Sequence, residues 1–488
     1  MDVVLVQPRL WLNRNPSRRA TLPKGLLAVA TPLDLAGYRV KIVDQDTEPD
    51  WEQTLLDALA SRPLCVGVTS MTGPQISWAL RASKLVKLKS DIPVVWGGVH
   101  ASLLPRQTLE SPFVDAVVQG EGEETFLELV NALAAGRPLD QVRGVWYKEN
   151  GQIRQNDARP LIDLGRQPPL SYHLVDLDKH MVSALGRDCL GFETSRGCPH
   201  SCAFCYNGSL RRKEWRGLSV DETLLRIRRL VRESGVRGLI FSDDNFFADP
   251  HRAYAILEEI VRQDLGIVWT AGDIRLDLLS QLDDDYLRLI VKSGCLSLVI
   301  GVESGSQKMV DIMRKGIDVS KAVEVNRRLA GYEIYPRYCF VVGVPGETQS
   351  DLAETTSLML RLMNDNRKAA AGVNLYTPYP GTELLDRSLQ HGLAMPGTLE
   401  EWIPFTWIRR RPDYPWLSPD MRKLLQMILF CSVFVAGDRN LRIFSDSSPL
   451  LSLAARVYSP VAKRKLRMLH YRFLPELRIA ETLGYRGY

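Results

Sequence analysis

The sequence predicts an α/β protein built as two successive βα units followed by a mainly helical C-terminal region. Two observations carry this. Short β-rich runs alternate with helical stretches from residue 3 to about 140, and the same rhythm resumes at Cys189 and runs to about 385. Strands that alternate with helices make parallel sheets covered on both faces. With 488 residues, 45% of them hydrophobic, the chain is long enough for several domains and too apolar to be disordered.

In the first unit (1–140), predicted strands VVLVQ (3–7), YRVKIVD (38–44), CVGVTS (65–70), VVWGG (94–98) and DAVVQG (115–120) alternate with predicted helices such as LPKGLLAVATPLDLAG (22–37) and EETFLELVNALAAG (123–136). A ligand of such a sheet sits beyond the carboxyl ends of its strands. Those ends carry Gln7, Asp44-Gln45-Asp46, Ser70, Gly97-Gly98-Val99-His100 and Gly120-Glu121-Gly122-Glu123. None is a GxGxxG turn or a P-loop, so neither kind of nucleotide binding has motif support. The Gly97-Gly98 pair lets a flat ligand approach the backbone.

Residues 141–188 read as a linker containing a β-hairpin, VRGVWYKENGQIRQND (142–157), turned at Asn150-Gly151. In the second unit (189–385), six predicted strands alternate with helices, as in a partial (β/α)6 barrel, whose chemistry lies at the strand tips. The first strand runs into TSRGCPHSCAFCYN (194–207). Cys198, Cys202 and Cys205 lie there within eight residues, and no second cysteine pair completes a zinc site. Cys65, Cys189, Cys295, Cys339 and Cys431 are scattered singly, which suits buried thiols in a reducing compartment, and the expected location is cytoplasmic. Iron–sulfur clusters are held by thiolates. Three ligands on four irons leave one iron for something that is not protein.

The spacing Cys198-x-x-x-Cys202-x-Phe204-Cys205 resembles the cluster motif of the radical S-adenosylmethionine (radical SAM) superfamily. The first unit resembles the Rossmann-like cobalamin-binding domain that precedes many such enzymes. The resemblance implies a [4Fe–4S] cluster on Cys198, Cys202 and Cys205, with the fourth iron chelating SAM. It places Asp243, Asp244 and Asn245 at the methionyl amine, Arg275 at the carboxylate, Glu303 at the ribose and Gly343 near the adenine. Tyr376 and Tyr379 are the candidate catalytic-site residues, as walls near the substrate and not as radical carriers. Cobalamin would lie along Ser70, Gly97, Gly98 and His100. The family's Asp-x-His-x-x-Gly signature is absent: Asp46 stands at the histidine and Pro49 at the glycine. Carboxylate is a poor substitute for imidazole on cobalt, so a cobalt without a protein histidine below it is expected.

The two units together imply a cobalamin-dependent radical SAM methyltransferase. It would move a methyl from SAM via methylcobalamin to an unactivated carbon, after hydrogen abstraction by the 5′-deoxyadenosyl radical. The alternative is a cyclase or ring-modifying enzyme without net methyl transfer, as in the anaerobic magnesium-protoporphyrin ester cyclase group. Either needs a small-molecule, lipid-like or tetrapyrrole substrate and an external electron donor such as flavodoxin or ferredoxin. Nucleic acid is not an expected partner, since no finger, stacking platform or repeat is present.

Region 386–488 resembles nothing named here and is expected to set substrate specificity. Arg409-Arg410-Arg411 reads as a solvated run, with reception of a carboxylate or phosphate as the alternative. MILFCSVFVAG (427–437) is too short to span a bilayer and reads as a buried helix. No signal peptide is expected at MDVVLVQPRL, which reads as a first strand. Residues 456–488 hold eight Lys or Arg and two acids, so this tail contributes +6 while the rest sums to −1. Such a tail reads as a solvated helix face, or else as a contact with anionic lipid at a membrane surface or with nucleic acid.

Overall fold

The computed structural model describes residues 1–10, 20–210, 213–406, 412–442, 448–472 and 474–477. The first sheet contains β1 (Val3–Gln7), β2 (Val40–Asp44), β3 (Cys65–Thr69), β4 (Val94–Gly97), β5 (Ala116–Val118), β6 (Val145–Glu149) and β7 (Gln152–Gln155). Their order is β2-β1-β3-β4-β5-β6-β7, parallel through β5 and antiparallel beyond it. The pleat sends successive β1 side chains to opposite faces. Val3 and Leu5 pack in the core with Leu26, Leu27 and Phe126, while Val4 and Val6 pack with Trp51, Leu55 and Ile76. Each such buried Val or Leu contributes about 1.5–3 kcal/mol. Because β1 has β2 on one side and β3 on the other, a crevice opens between their carboxyl ends.

The hairpin assigned to the linker belongs to this sheet. Asn150 and Gly151 both have positive φ, 50° and 74°, as a two-residue hairpin turn requires. Pairing of β6 with three-residue β5 covers an edge that would otherwise be open. The second sheet likewise begins inside the linker, at β8 (Val182–Ala184), which is antiparallel to β9 (Arg187–Phe192).

From β9 a two-residue ribbon, β10 (Ser195–Arg196) with β11 (Arg216–Gly217), closes the base of the cysteine loop. Then follow β12 (Gly238–Phe241), β13 (Val268–Arg275), β14 (Cys295–Glu303), β15 (Tyr335–Val342) and β16 (Ala370–Leu375). β9 and β12 to β16 are six parallel strands in sequential order, so every crossover advances the same way and the sheet curls into a half-barrel. Its helices start at clear caps. Asp249 accepts from the Arg252 amide at 3.0 Å, and Thr348 and Asp351 form a capping box.

The C-terminal region is mainly helical, and it touches both units. Helix Pro419–Ser432 is buried against β16, while the Trp402 indole donates to Gln107 Oε1 in the first unit at 2.8 Å. Arg409-Arg410-Arg411 lies outside the described residues. Among the described residues no helix is long and apolar enough to cross a membrane.

Candidate active site

The cysteine loop is tied down by backbone contacts. The Ala203 amide donates to Met313 O at 2.8 Å, and the Leu384 amide donates to Ala203 O at 2.9 Å. Ala203, with Phe204 packed against it, joins an apolar cluster of Met309, Met313, Val344, Tyr376 and Leu384. The three cysteines are free and half-buried. Burial raises the Cys205 thiol to about 12 and also raises Cys202, although Lys315 and Arg275 beside Cys202 pull the other way.

The acids after β12 hold this loop. Asp243 Oδ1 accepts from the Thr194 amide (3.0 Å), the Thr194 hydroxyl (2.8 Å) and the Ser195 hydroxyl (2.6 Å). Burial pushes Asp243 up to about 6 against those hydrogen bonds, and its Oδ2 is buried without a partner. Asp244 Oδ2 accepts from the Gly197 amide at 2.7 Å. The Asn245 side-chain amide lies 3.8 Å from Cys198 Sγ. All three residues therefore support the cysteine loop, and the structure gives them that role on the protein's own atoms.

The tips of β13 and β14 meet beside the same loop. Arg275 is clamped by Asp277 (3.0 Å) and by Lys315 O (2.6 Å), and its Nη1 lies 4.0 Å from Cys202 Sγ. Glu303 ends β14 at a register shift with φ +68°, a left-handed conformation that a non-glycine residue holds only when its surroundings impose it. Its Oε1 accepts from Lys315 Nζ at 2.6 Å, both side chains being buried. A Cβ on Gly301 would meet both of these atoms at 2.6 Å. Lys315, which also lies over the Phe204 ring, had no signal in the sequence: it sits in an ordinary turn after helix Gln307–Ile312.

The remaining predicted residues divide. Gly343 (φ +86°) accepts from the Trp416 indole at 3.0 Å. Tyr376 is buried, 3.2 Å from the Ser388 hydroxyl, and its carbonyl accepts from Tyr414. Tyr414, itself buried, stacks on Trp416 at 4.5 Å, so this pair packs the C-terminal region against the second unit. Tyr379 lies in the following turn, where its carbonyl accepts from Thr382 Oγ1.

The crevice of the first sheet is a cavity of about 370 Å³ lined by Gln7, Thr69, Gly97, Gly98, Gly120 and Phe126, among others. Gly98 has φ +87°, and a Cβ there would strike Ser70 O and Thr69 Oγ1 at 2.7 Å. Ser70 and His100 are fully buried behind the cavity and do not line it. His100 Nδ1 is 2.9 Å from the Thr72 hydroxyl, its ring meets Trp402 edge-on, and burial lowers it to about 4. The Asp46 backbone amide donates to Asp44 Oδ1 at 2.8 Å, which fixes the turn after β2.

The cavity also touches the second unit, through Glu193, Arg196 and Leu210. Arg196 pairs with Glu123 (2.6 Å) and Glu193 (2.7 Å), and Arg216 pairs with Glu121 (2.8 Å). Burial alone would raise Glu121, but Arg216 and Arg196 bring it below the ordinary carboxylate range. These ion pairs join the tip of β5 to the β10–β11 ribbon at the base of the loop that carries Cys198. The Gly-Glu-Gly-Glu run at that tip was the only sequence sign of them.

These sites fit the implied groups. Among the described residues no set of Cys, His, Asp or Glu converges on a single ion, whereas a cuboidal cluster takes each thiolate on a different iron and needs a wider set. Arg275, although paired with Asp277, keeps its Nη1 4.0 Å from Cys202 Sγ, close enough for a guanidinium N–H to face a bound thiolate. In the cavity, a Cβ on Gly120 would meet nothing within 4 Å and one on Gly97 only Val118 O at 3.7 Å. That bare backbone leaves room for a flat ligand, and the volume suits the nucleotide tail of a corrinoid.

Residues 192–359 match the radical SAM superfamily and residues 17–130 the B12 binding domain. An uncharacterized methyltransferase of Pyrococcus horikoshii is 32% identical over 71% of this chain and 73% of its own. The chain belongs to the cobalamin-binding radical SAM enzymes. The anaerobic magnesium-protoporphyrin IX monomethyl ester cyclase of Rubrivivax gelatinosus is 28% identical over 74% of this chain and 65% of its own. Among solved structures, the radical SAM methyltransferase TsrM of Kitasatospora setae, with tryptophan and a SAM analogue bound, shares the fold. Its TM-score is 0.71 at 17% identity, over 99% of both chains. As a radical SAM enzyme with a B12 domain, this protein takes a [4Fe–4S] cluster, SAM and cobalamin.

Proposed function

We propose that this radical SAM enzyme is a C-methyltransferase acting on an unactivated carbon of an apolar small molecule. The observation that carries the reading is the shared wall: one cavity is lined by Gly97 and Gly98 of the first unit and by Arg196, two residues before Cys198. When bound, cobalamin supplies a methyl carrier, and the cluster with SAM supplies a hydrogen-abstracting radical. The chain's part is position. Cys198, Cys202 and Cys205 hold the cluster, with Asp244 and Asn245 fixing the loop that carries them. Glu303 and Lys315 form a rigid polar pair for the ribose and methionyl ends of SAM. Hydrogen-atom abstraction needs no general base, so Glu303 is a positioning residue.

A lipid-like or tetrapyrrole substrate is supported by the relative named for a protoporphyrin ester. Reducing equivalents come from a flavodoxin or ferredoxin in the cytoplasm. The test is an anaerobic incubation of reconstituted protein with cobalamin, methyl-labelled SAM and candidate tetrapyrrole and lipid-like substrates. Labelled methyl in a product heavier by one CH2, formed with both S-adenosylhomocysteine and 5′-deoxyadenosine, is expected. A product with a new ring or oxygen and no added carbon refutes methyl transfer and favours the cyclase class.

A further inference from the structure

Helix Pro449–Met468 faces the wrong way for an ordinary surface helix. Ser452, Ala455, Ser459, Ala462 and Leu466 form its buried stripe, packed toward helices Pro419–Ser432 and Gln349–Asp365. Most of these are small. The large apolar residues Leu450, Leu453, Val457, Val461 and Met468 recur at helical spacing on the opposite face. Leu450 is 80% exposed and Val457 70%. A soluble helix normally buries its large side chains and solvates its charges.

Cations border that stripe. Arg464 and Arg467 are exposed on the same side of the helix. Lys463, half-buried, has its pKa lowered first by burial and then by the neighbouring Arg439 and Arg467 charges, a local excess of positive charge. Arg456 is answered by Asp438 at 2.6 Å.

We propose that this helix lays its outer face on an anionic membrane surface. Twenty residues give an apolar stripe about 30 Å long, suited to lie in the plane of the interface with its cations at the headgroups. It does not cross the membrane. A second copy of the chain is a poorer occupant, because a self-facing stripe brings like guanidinium charges together. The proposal is independent of which carbon is methylated.

The test is vesicle flotation of the full-length, cluster-loaded protein, with phosphatidylcholine alone and with phosphatidylglycerol added. Wild type is expected to float with the anionic vesicles and to be released by salt. Leu453→Glu with Val457→Glu should abolish flotation while circular dichroism and iron content stay unchanged. Arg464→Gln with Arg467→Gln should lower affinity for anionic vesicles about 25-fold, at roughly fivefold per charge. Absence of wild-type flotation, or flotation indifferent to both variants, overturns the proposal. So does light scattering that finds a dimer which the double-glutamate variant splits, with no vesicle binding, since the stripe then covers a second copy.

Discussion

Replacing Lys315 with methionine isolates the polar pair at the heart of the site. Lys315 Nζ lies 2.6 Å from Glu303 Oε1, and their side chains are only 11% and 8% exposed. At an effective dielectric near 20, the attraction at this distance is about 6 kcal/mol, much of it offset by the desolvation of both ions. Deleting one partner leaves the other charge buried and unanswered, at a cost of about 3–5 kcal/mol. Methionine retains most of the stem, so little packing is lost. Lys315→Met should therefore destabilise the protein by about that amount, and adding Glu303→Gln should recover roughly 2 kcal/mol or more of it. Urea denaturation of all four forms of the cycle, with and without cluster, measures this. Glu303→Gln alone should weaken SAM binding at least about tenfold, from loss of a charge-assisted hydrogen bond of about 1.5–3 kcal/mol. It should also raise 5′-deoxyadenosine formed per product, with iron content unchanged. Additive stability changes, with a coupling under about 0.5 kcal/mol, would refute the buried pair.

Alanine at Cys198, Cys202 or Cys205 should each drop iron from about four per chain towards none, read by iron and sulfide assay; a cluster that survives all three replacements contradicts the ligand set. Gly97→Phe should fill the first-unit cavity from an unstrained backbone position, so that cobalamin absorbance is lost after reconstitution while the melting temperature holds. His100→Gln should leave the cob(II)alamin EPR spectrum without nitrogen splitting, as in wild type, because His100 is turned to Thr72 behind the cavity; splitting that vanishes with the substitution counts against this. Burial holds Asp44 at about 7 in the fold, above its ordinary 3.8. The native state thus binds a proton that the unfolded chain lacks between those values, and stability falls as pH rises from about 4 to 7, by at most about 4 kcal/mol. Asp44→Asn should flatten that slope in denaturation curves; an unchanged slope dismisses the buried acid.

Both sheets were legible because their signal is local. Alternation along each strand, helices between strands and the Asn150-Gly151 turn all lie within a few residues of one another, and the cysteine spacing is a single loop. The hairpin's membership was not legible, since 142–157 looks the same whether it is free or paired to β5. Lys315 was invisible for a related reason: a lysine in a turn becomes a site residue only when β14 brings Glu303 to it. Asp243 and Asp244 were visible as acids at a strand tip, yet which atoms they hold depends on how β9 and β12 align, and that register puts them on Thr194 and Gly197.

The sequence by itself determined the two βα units, the three thiols, the glycine-lined strand tips and the missing histidine after β2. Each is a matter of residue type and short spacing, which fixes backbone preference and donor chemistry before any long-range contact forms. Only the tertiary structure decided that the crevice of the first sheet shares a wall with the base of the cysteine loop in the second unit. It also decided that Arg196 and Arg216 meet Glu121 and Glu123, and that helix Pro449–Met468 turns its large apolar side chains outward. These depend on packing between segments far apart in the chain, where burial and charge pairing select one arrangement among many that the local sequence permits.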